Sequence, residues 1–171
     1  MAVRVCPYDI GCEPSPSVPA ETLLQDGWKT YLLFFAVSKR VGKTGNLKDL
    51  GVAVLDCKEC AMSKFGYPND EGLPEHPLYS YGMANAKSSV LEVMDSPWAK
   101  DVSQQRLESA RRIWGGRGMD WSWARNRPER HFVITLKKAT FECIASELIV
   151  ERFFKGFDEA FAHVIQEFKK H

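Results

Sequence analysis

The chain has little of what would mark a function at sight. It has almost no net charge: 23 basic against 22 acidic residues leave +1 over 171 residues. No overall field therefore draws it to nucleic acid or to an acidic membrane surface. It has no long hydrophobic run. The most apolar stretch, Tyr31 to Val37, is seven residues, against the ~20 that span a bilayer. The opening Met1-Ala2-Val3-Arg4-Val5-Cys6-Pro7 leads into no apolar core of a secretion signal. The expectation is a soluble, cytoplasmic protein with no membrane partner. The five Cys form an odd set, which without a secretion signal argues for free thiols rather than a disulfide framework. Internal repeats and low-complexity runs are absent too. What is there, 44% hydrophobic and 26% charged residues, excludes a disordered or collagen-like chain. The length suits one domain with its own core.

Residues 1–20 hold four Pro and two Cys and read as an extended N-terminal segment, ordered only if it packs on the body. Residues 21–171 read as a single domain. Trp28 to Arg40 is too short and too aromatic for an isolated helix and fits a strand buried on both faces. Leu50 to Ser63 reads as a second strand, paired antiparallel with the first. Residues 66–85 form a long irregular segment, with three Pro and two Gly in residues 66–77 excluding a helix or a central strand. Ser89 to Met94 is a short strand. Ser96-Pro97 then reads as a helix N-cap followed by Pro at the first helical position, and Gly115-Gly116 stops that helix. His131 to Leu136 alternates as a strand, turns at Lys137-Lys138 and continues into Thr140 to Phe153 as a hairpin. Phe157 to Lys170 carries an apolar stripe, acids at its start and Lys at its end, which marks a helix. The order β-β-loop-β-α-β-β-α predicts an α+β domain with a mostly antiparallel, curved sheet packed by two helices.

Candidate chemistry is sparse. Gly42-Lys43-Thr44 has the ending of a phosphate-binding loop, but Val37 stands where its first Gly belongs, so a surface turn is the better reading. Cys57-x-x-Cys60 suggests zinc or redox chemistry. The wide Cys6–Cys12 spacing does not complete a zinc knuckle, and a redox pair belongs at a helix start; buried thiols are the simpler reading. No metal is assigned. Arg106 to Arg130 carries seven Arg with Trp114, Trp121 and Trp123, a pattern that can clamp bases or phosphates. The chain lacks the excess charge of nucleic-acid binders, which weighs against that partner. His76 sits in the Pro-rich loop near Asp70, Glu71 and Glu75, where it can act as an acid/base group or staple the loop. By period two, Phe141 and Cys143 share one strand face and Glu142 takes the other. Cys143 as a nucleophile needs a base, and His131 across the hairpin is the nearest.

Several strings occur together: Pro68-Asn69-Asp70-Glu71, His76-Pro77-Leu78-Tyr79 with Gly82, Glu92-Val93 with Ser96 and Trp98, His131-Phe132, and Thr140-Phe141-Glu142-Cys143 with Ala145. Over roughly residues 50–150 the chain resembles a family of uncharacterised bacterial proteins in which these strings recur in this order. The resemblance implies no assigned reaction and transfers no catalytic residue. In that family a His-Asp pair often precedes the Thr-Phe-Glu-Cys string. Lys137 and Lys138 stand there here, which implies a loss of His-dependent chemistry or a more anionic ligand.

The leading expectation is a non-catalytic domain that binds a small ligand or a protein partner through the 66–83 loop. Asn69, Asp70, Glu71, His76, Tyr79 and Glu142 are its binding residues, and no cofactor is called for. Pro reduces the entropy such a loop loses on ordering. The rival is a small hydrolase or transferase using Asp70, Glu71 and His76 as acid/base groups, with Cys143. A weak nucleic-acid binder acting through residues 106–130 is the third reading. Five Trp and ten Phe leave aromatic surface for a homodimer contact.

Overall fold

A computed structural model of the chain describes residues 2–41, 46–115 and 129–170. It shows an α+β fold. Among the described residues, ten strands form two antiparallel sheets that do not close into a barrel, with two α-helices. The strands are β1 (Arg4–Pro7), β2 (Glu13–Pro14), β3 (Thr22–Gln25), β4 (Thr30–Val41), β5 (Leu47–Lys58), β6 (Met62–Gly66), β7 (Val90–Met94), β8 (Arg130–Thr135), β9 (Thr140–Ala145) and β10 (Glu147–Phe154). Helix α1 (Pro97–Trp114) follows β7, and α2 (Phe157–Phe168) ends the described chain. One sheet runs β1-β7-β8-β9-β6; the other runs β10-β5-β4-β2, with β3 also paired to β4.

Alternation along the strands builds the layers. In β4, Leu32, Phe34 and Ala36 join Ala53, Leu55, Phe132, Ile134, Phe141 and Cys143 in the core between the sheets. Tyr31 and Leu33 point the other way, where Val52, Val54 and the Ala160 and Val164 face of α2 cover them. A strand apolar on both faces is what the 31–37 run requires. On the far side, Ala99 and Val102 of α1 pack on Ile144. Leu73, Leu78, Tyr79 and Met83 of the 66–85 segment pack on Val5, Leu91, Val93 and Val133. That segment is three short 3-10 turns folded onto the sheet.

Two breaks separate one expected sheet into two. The Leu50 to Ser63 strand ends at Lys58, and Glu59, at φ +51, turns the chain into β6 of the other sheet. Ser146, whose N–H donates to the Lys58 carbonyl at 2.9 Å, likewise divides Thr140 to Phe153 into β9 and β10. The β8–β9 hairpin and the β4–β5 pair form as expected. Residues 1–20 pack on the body: β1 pairs with β7, β2 pairs with β4, and Cys12 is fully buried. Gly51 in β5 has φ +85, and a Cβ there would lie 2.2 Å from the Phe154 carbonyl oxygen. Only glycine fits this close strand approach. The Gly42-Lys43-Thr44 turn lies outside the described residues.

Candidate functional site

Glu142 is the centre of the polar residues on the outer face of the first sheet. On β9 it lies opposite Val133 of β8 and Lys64 of β6. His131 lies opposite Ile144, so period two places His131, Val133, Glu142 and Ile144 on one face, with His131 diagonal to Glu142. The 66–85 segment supplies His76 to this face, and the start of α1 supplies Ser96 and Trp98.

The hydrogen bonds run in one direction and end on the Glu142 carboxylate. The Leu78 N–H donates to His76 Nδ1 at 3.1 Å. A ring nitrogen that accepts carries no proton, so the His76 ring hydrogen lies on Nε2. That Nε2 lies 3.5 Å from Glu142 Oε1. On the other side the Ala99 N–H donates to Ser96 Oγ at 3.1 Å, the N-cap of α1. Ser96 Oγ lies 2.9 Å from His131 Nδ1, and His131 Nε2 lies 2.9 Å from Glu142 Oε2. With the hydroxyl donating to Nδ1 and Nε2–H donating to the carboxylate, every member of the series is satisfied. Both imidazoles are buried, and the Glu142 side chain is 15% exposed.

Burial by itself raises the Glu142 pKa. The bonds from His131 and His76, with the positive charge of Lys64, overturn that and hold it well below the usual carboxylate range. Glu142 is a fixed anion at neutral pH. The Lys64 ammonium lies 4.0 Å from Glu142 Oε1 and 3.9 Å from the centroid of the Trp98 ring, while its side chain is 60% exposed. Trp98 also packs edge-on against His131, ring centroids 5.0 Å apart. Beside the series, a cleft of about 300 Å³ is lined by Ser96, Ala99, His131, Asp95 and Arg130 among others.

Two imidazoles and a carboxylate suggest a metal triad, but this donor set does not fit one. Ligation through His76 Nε2 requires a hydrogen on Nδ1, and Nδ1 instead accepts from Leu78.

Of the six binding residues expected from the sequence, His76 and Glu142 come together and Asn69, Asp70, Glu71 and Tyr79 do not join them; His131, expected as a base for Cys143, meets Glu142 instead. Asn69 Oδ1 accepts from the Gly72 N–H at 3.1 Å and closes a turn. Asp70, exposed, pairs with Lys137 at 2.7 Å, and Glu71 is exposed. Tyr79 packs with the apolar underside of the segment. Cys143 is fully buried opposite Phe132 on the core face, away from His131. Burial, with hydrogen bonds to the Cys57 and Cys60 thiols, pushes its pKa far up, so the Cys143–His131 nucleophile pair does not form. The sequence marks Ser96 as a helix cap and as part of a recurring string, and gives neither it nor Lys64 a place in the site. The hydroxyl-to-imidazole contact and the β6–β9 register bring them in. In the Arg-rich stretch, Arg106 pairs with Glu129 at 2.7 Å, and Arg130 holds Glu92 through two bonds of 2.7 Å; residues 116–128 lie outside the described residues. No helix among the described residues is long and apolar enough to cross a membrane. Comparison with known proteins finds no matching family model, no matching curated protein and no matching solved structure.

Proposed function

We propose that the chain is a small-ligand-binding domain that recognises an ammonium group at Glu142, between the 66–85 segment and the start of α1. The observation that carries this reading is the place of the Lys64 ammonium, set between an aromatic face and a carboxylate. An aromatic face and an anion together are the chemistry that selects a cation. Lys64 is a tethered occupant, and its exposure makes it displaceable. The carboxylate needs no reorganisation to receive a ligand, because two imidazole N–H groups already fix it. A carboxylate held this far below neutral pH is a poor general acid or base, which favours binding over acid/base turnover by Glu142.

The test is calorimetric titration of the full chain with n-butylammonium chloride, with n-butanol as the neutral control. Lys64→Ala removes the competitor and raises ammonium affinity about ten-fold, equal to ~1.4 kcal/mol. Glu142→Gln abolishes binding, and butanol does not bind. Equal affinity in the parent chain and the Lys64→Ala variant would sink the reading.

A second reading rests on Ser96. Hydroxyl, imidazole and carboxylate follow one another at 2.9 Å spacings as in a serine-hydrolase triad, but with the two ring nitrogens exchanged, the hydroxyl on Nδ1 and the carboxylate on Nε2. Ser96 follows Asp95, held at φ +55 on a strand-to-helix turn, and lines the cleft described above. Against it, the Ser96 oxygen is buried and already caps α1. Covalent labelling of Ser96 by a fluorophosphonate, lost in His131→Ala, decides for acyl transfer; an unlabelled Ser96 removes it.

A further inference from the structure

Cys57 of β5, Cys60 of the turn after it and Cys143 of β9 gather at the core between the two sheets, away from Glu142, and nothing in the ammonium site uses them. All are free cysteines; Cys57 and Cys143 are buried, whereas Cys60 is partly exposed. The turn at Glu59 places Cys60 outside β5, so the two members of the Cys57-x-x-Cys60 motif do not share a strand. Cys60 instead lines a groove of about 540 Å³ between the start of β6 and α1, where Ala61 and Met62 face Val102, Ala110 and Ile113. From the protein side, Cys60 packs against the core that holds Cys57 and Cys143, and the N–H of the next residue, Ala61, donates to the carbonyl of Ile144, the neighbour of Cys143, at 2.7 Å.

We propose that Cys60 is a peroxide-reactive thiol, reached by hydroperoxides through this groove and resolved by Cys143 as a disulfide. Its surroundings favour the reactive form. As a thiol, Cys60 donates to the Met62 carbonyl at 3.4 Å. The Cys143 thiol beside it lowers its pKa most, the Thr30 hydroxyl and the Met62 backbone add to this, and burial opposes but does not cancel them, so the pKa falls to about 7. The partner is tuned the other way: burial keeps Cys143 protonated, so it is a hydrogen donor at rest. Cys12, by contrast, has its thiol pushed up to about 12 by burial.

The chemistry balances in two steps. The Cys60 thiolate attacks the O–O bond of the peroxide; an S–O bond forms, the O–O bond breaks, and hydroxide or alkoxide leaves and takes up the thiol's proton. The Cys143 thiol passes its proton to the departing sulfenic hydroxyl as its sulfur attacks the sulfenic sulfur of Cys60, so no free Cys143 thiolate is needed; the S–S bond forms, the S–O bond breaks, and water leaves. Two thiols are oxidised and one peroxide is reduced by two electrons.

The experiment uses the full chain. Iodoacetamide labelling mapped by mass spectrometry should modify Cys60 first, with the rate half-maximal near pH 7 and Cys6, also partly exposed, as the internal reference. One equivalent of hydrogen peroxide should then remove two hydrogen atoms and link Cys60 to Cys143. Cys60→Ser should leave the remaining thiols intact, and Cys143→Ala should yield a dimedone adduct at Cys60. Faster alkylation of Cys6 than Cys60, a Cys57–Cys143 link in place of the expected one, or a parent chain and Cys60→Ser variant that lose thiols alike overturns the proposal. The Cys60→Ser arm does not depend on the stability of the core Cys143→Ala variant.

Discussion

At the scale of the residue, Glu142 ties protonation to folding. Its folded pKa lies below the ordinary value of 4.5, so the folded state binds that proton less readily than the unfolded chain. The stabilisation it supplies is fully present above pH 4.5 and is lost as the pH falls toward the folded value. Asp56 on β5 works with the opposite sign. Burial raises its pKa against the opposing hydrogen bond from Lys58, so its share is present in acid and lost as the pH rises. Glu142→Gln should cost about 1.5–3 kcal/mol at pH 7, the range for hydrogen bonds to a charged group. It should also flatten the acid limb of stability below pH 4.5. Urea unfolding at pH 7 and at pH 3.5 checks both; an unchanged acid limb removes Glu142 as its source.

At the scale of the element, α1 is fastened by one atom with two duties. Ser96 Oγ accepts from the Ala99 N–H and meets His131 Nδ1. Replacing it with Ala removes an N-cap, about 1 kcal/mol, and leaves a buried imidazole nitrogen unpaired, about 1–3 kcal/mol more. The expected loss for Ser96→Ala is therefore about 2–4 kcal/mol by the same two effects. Ser96→Thr retains the oxygen and should cost less. Thermal unfolding of the two variants measures the difference, and equal melting temperatures count against the shared role. Pro97 at the first helical position has no N–H to satisfy, and Val102 and Ala110 fix the buried side of the helix. The same stretch thus sets the helix start and orients the imidazole that holds Glu142.

At the scale of the whole molecule, the two sheets face each other across one core, and each outer face has its own cover. Helix α2 covers one; α1 and the 66–85 segment cover the other. Residues 1–20 bind the two sheets together. The Tyr8 ring lies 4.8 Å from Phe132, Glu13 accepts from the Ser88 hydroxyl and the Ser89 N–H, and the Ser15 N–H donates to the Phe35 carbonyl at 2.7 Å. Deleting residues 2–20 should therefore broaden or abolish the cooperative unfolding transition. A truncated chain with an unchanged calorimetric peak would show the segment to be dispensable.

Local physics decided much of this fold before any tertiary contact. The apolar run at 31–37 demanded a strand covered on both sides. Ser96-Pro97 set the start of α1, the stripe from Phe157 to Phe168 made a helix, and the alternation around Phe141 and Cys143 turned Glu142 outward. Each depends on spacing along the chain, which is a property of the sequence. Pairing is not. The breaks at Glu59 and Ser146 assign neighbouring strands to different sheets, and the β8–β9 register sets His131 against Glu142 rather than Cys143. Lys64 reaches the carboxylate only across β6 and β9, and His76 only because its segment folds back on the sheet. Asn69, Asp70 and Glu71 looked as suitable as His76 by composition, yet one closes a turn, one pairs with Lys137 and one faces solvent. The sequence determined which side chains leave each strand on which face. Only the tertiary structure chose which of them meet, because contacts between distant segments depend on register and chain reversal, which no local pattern encodes.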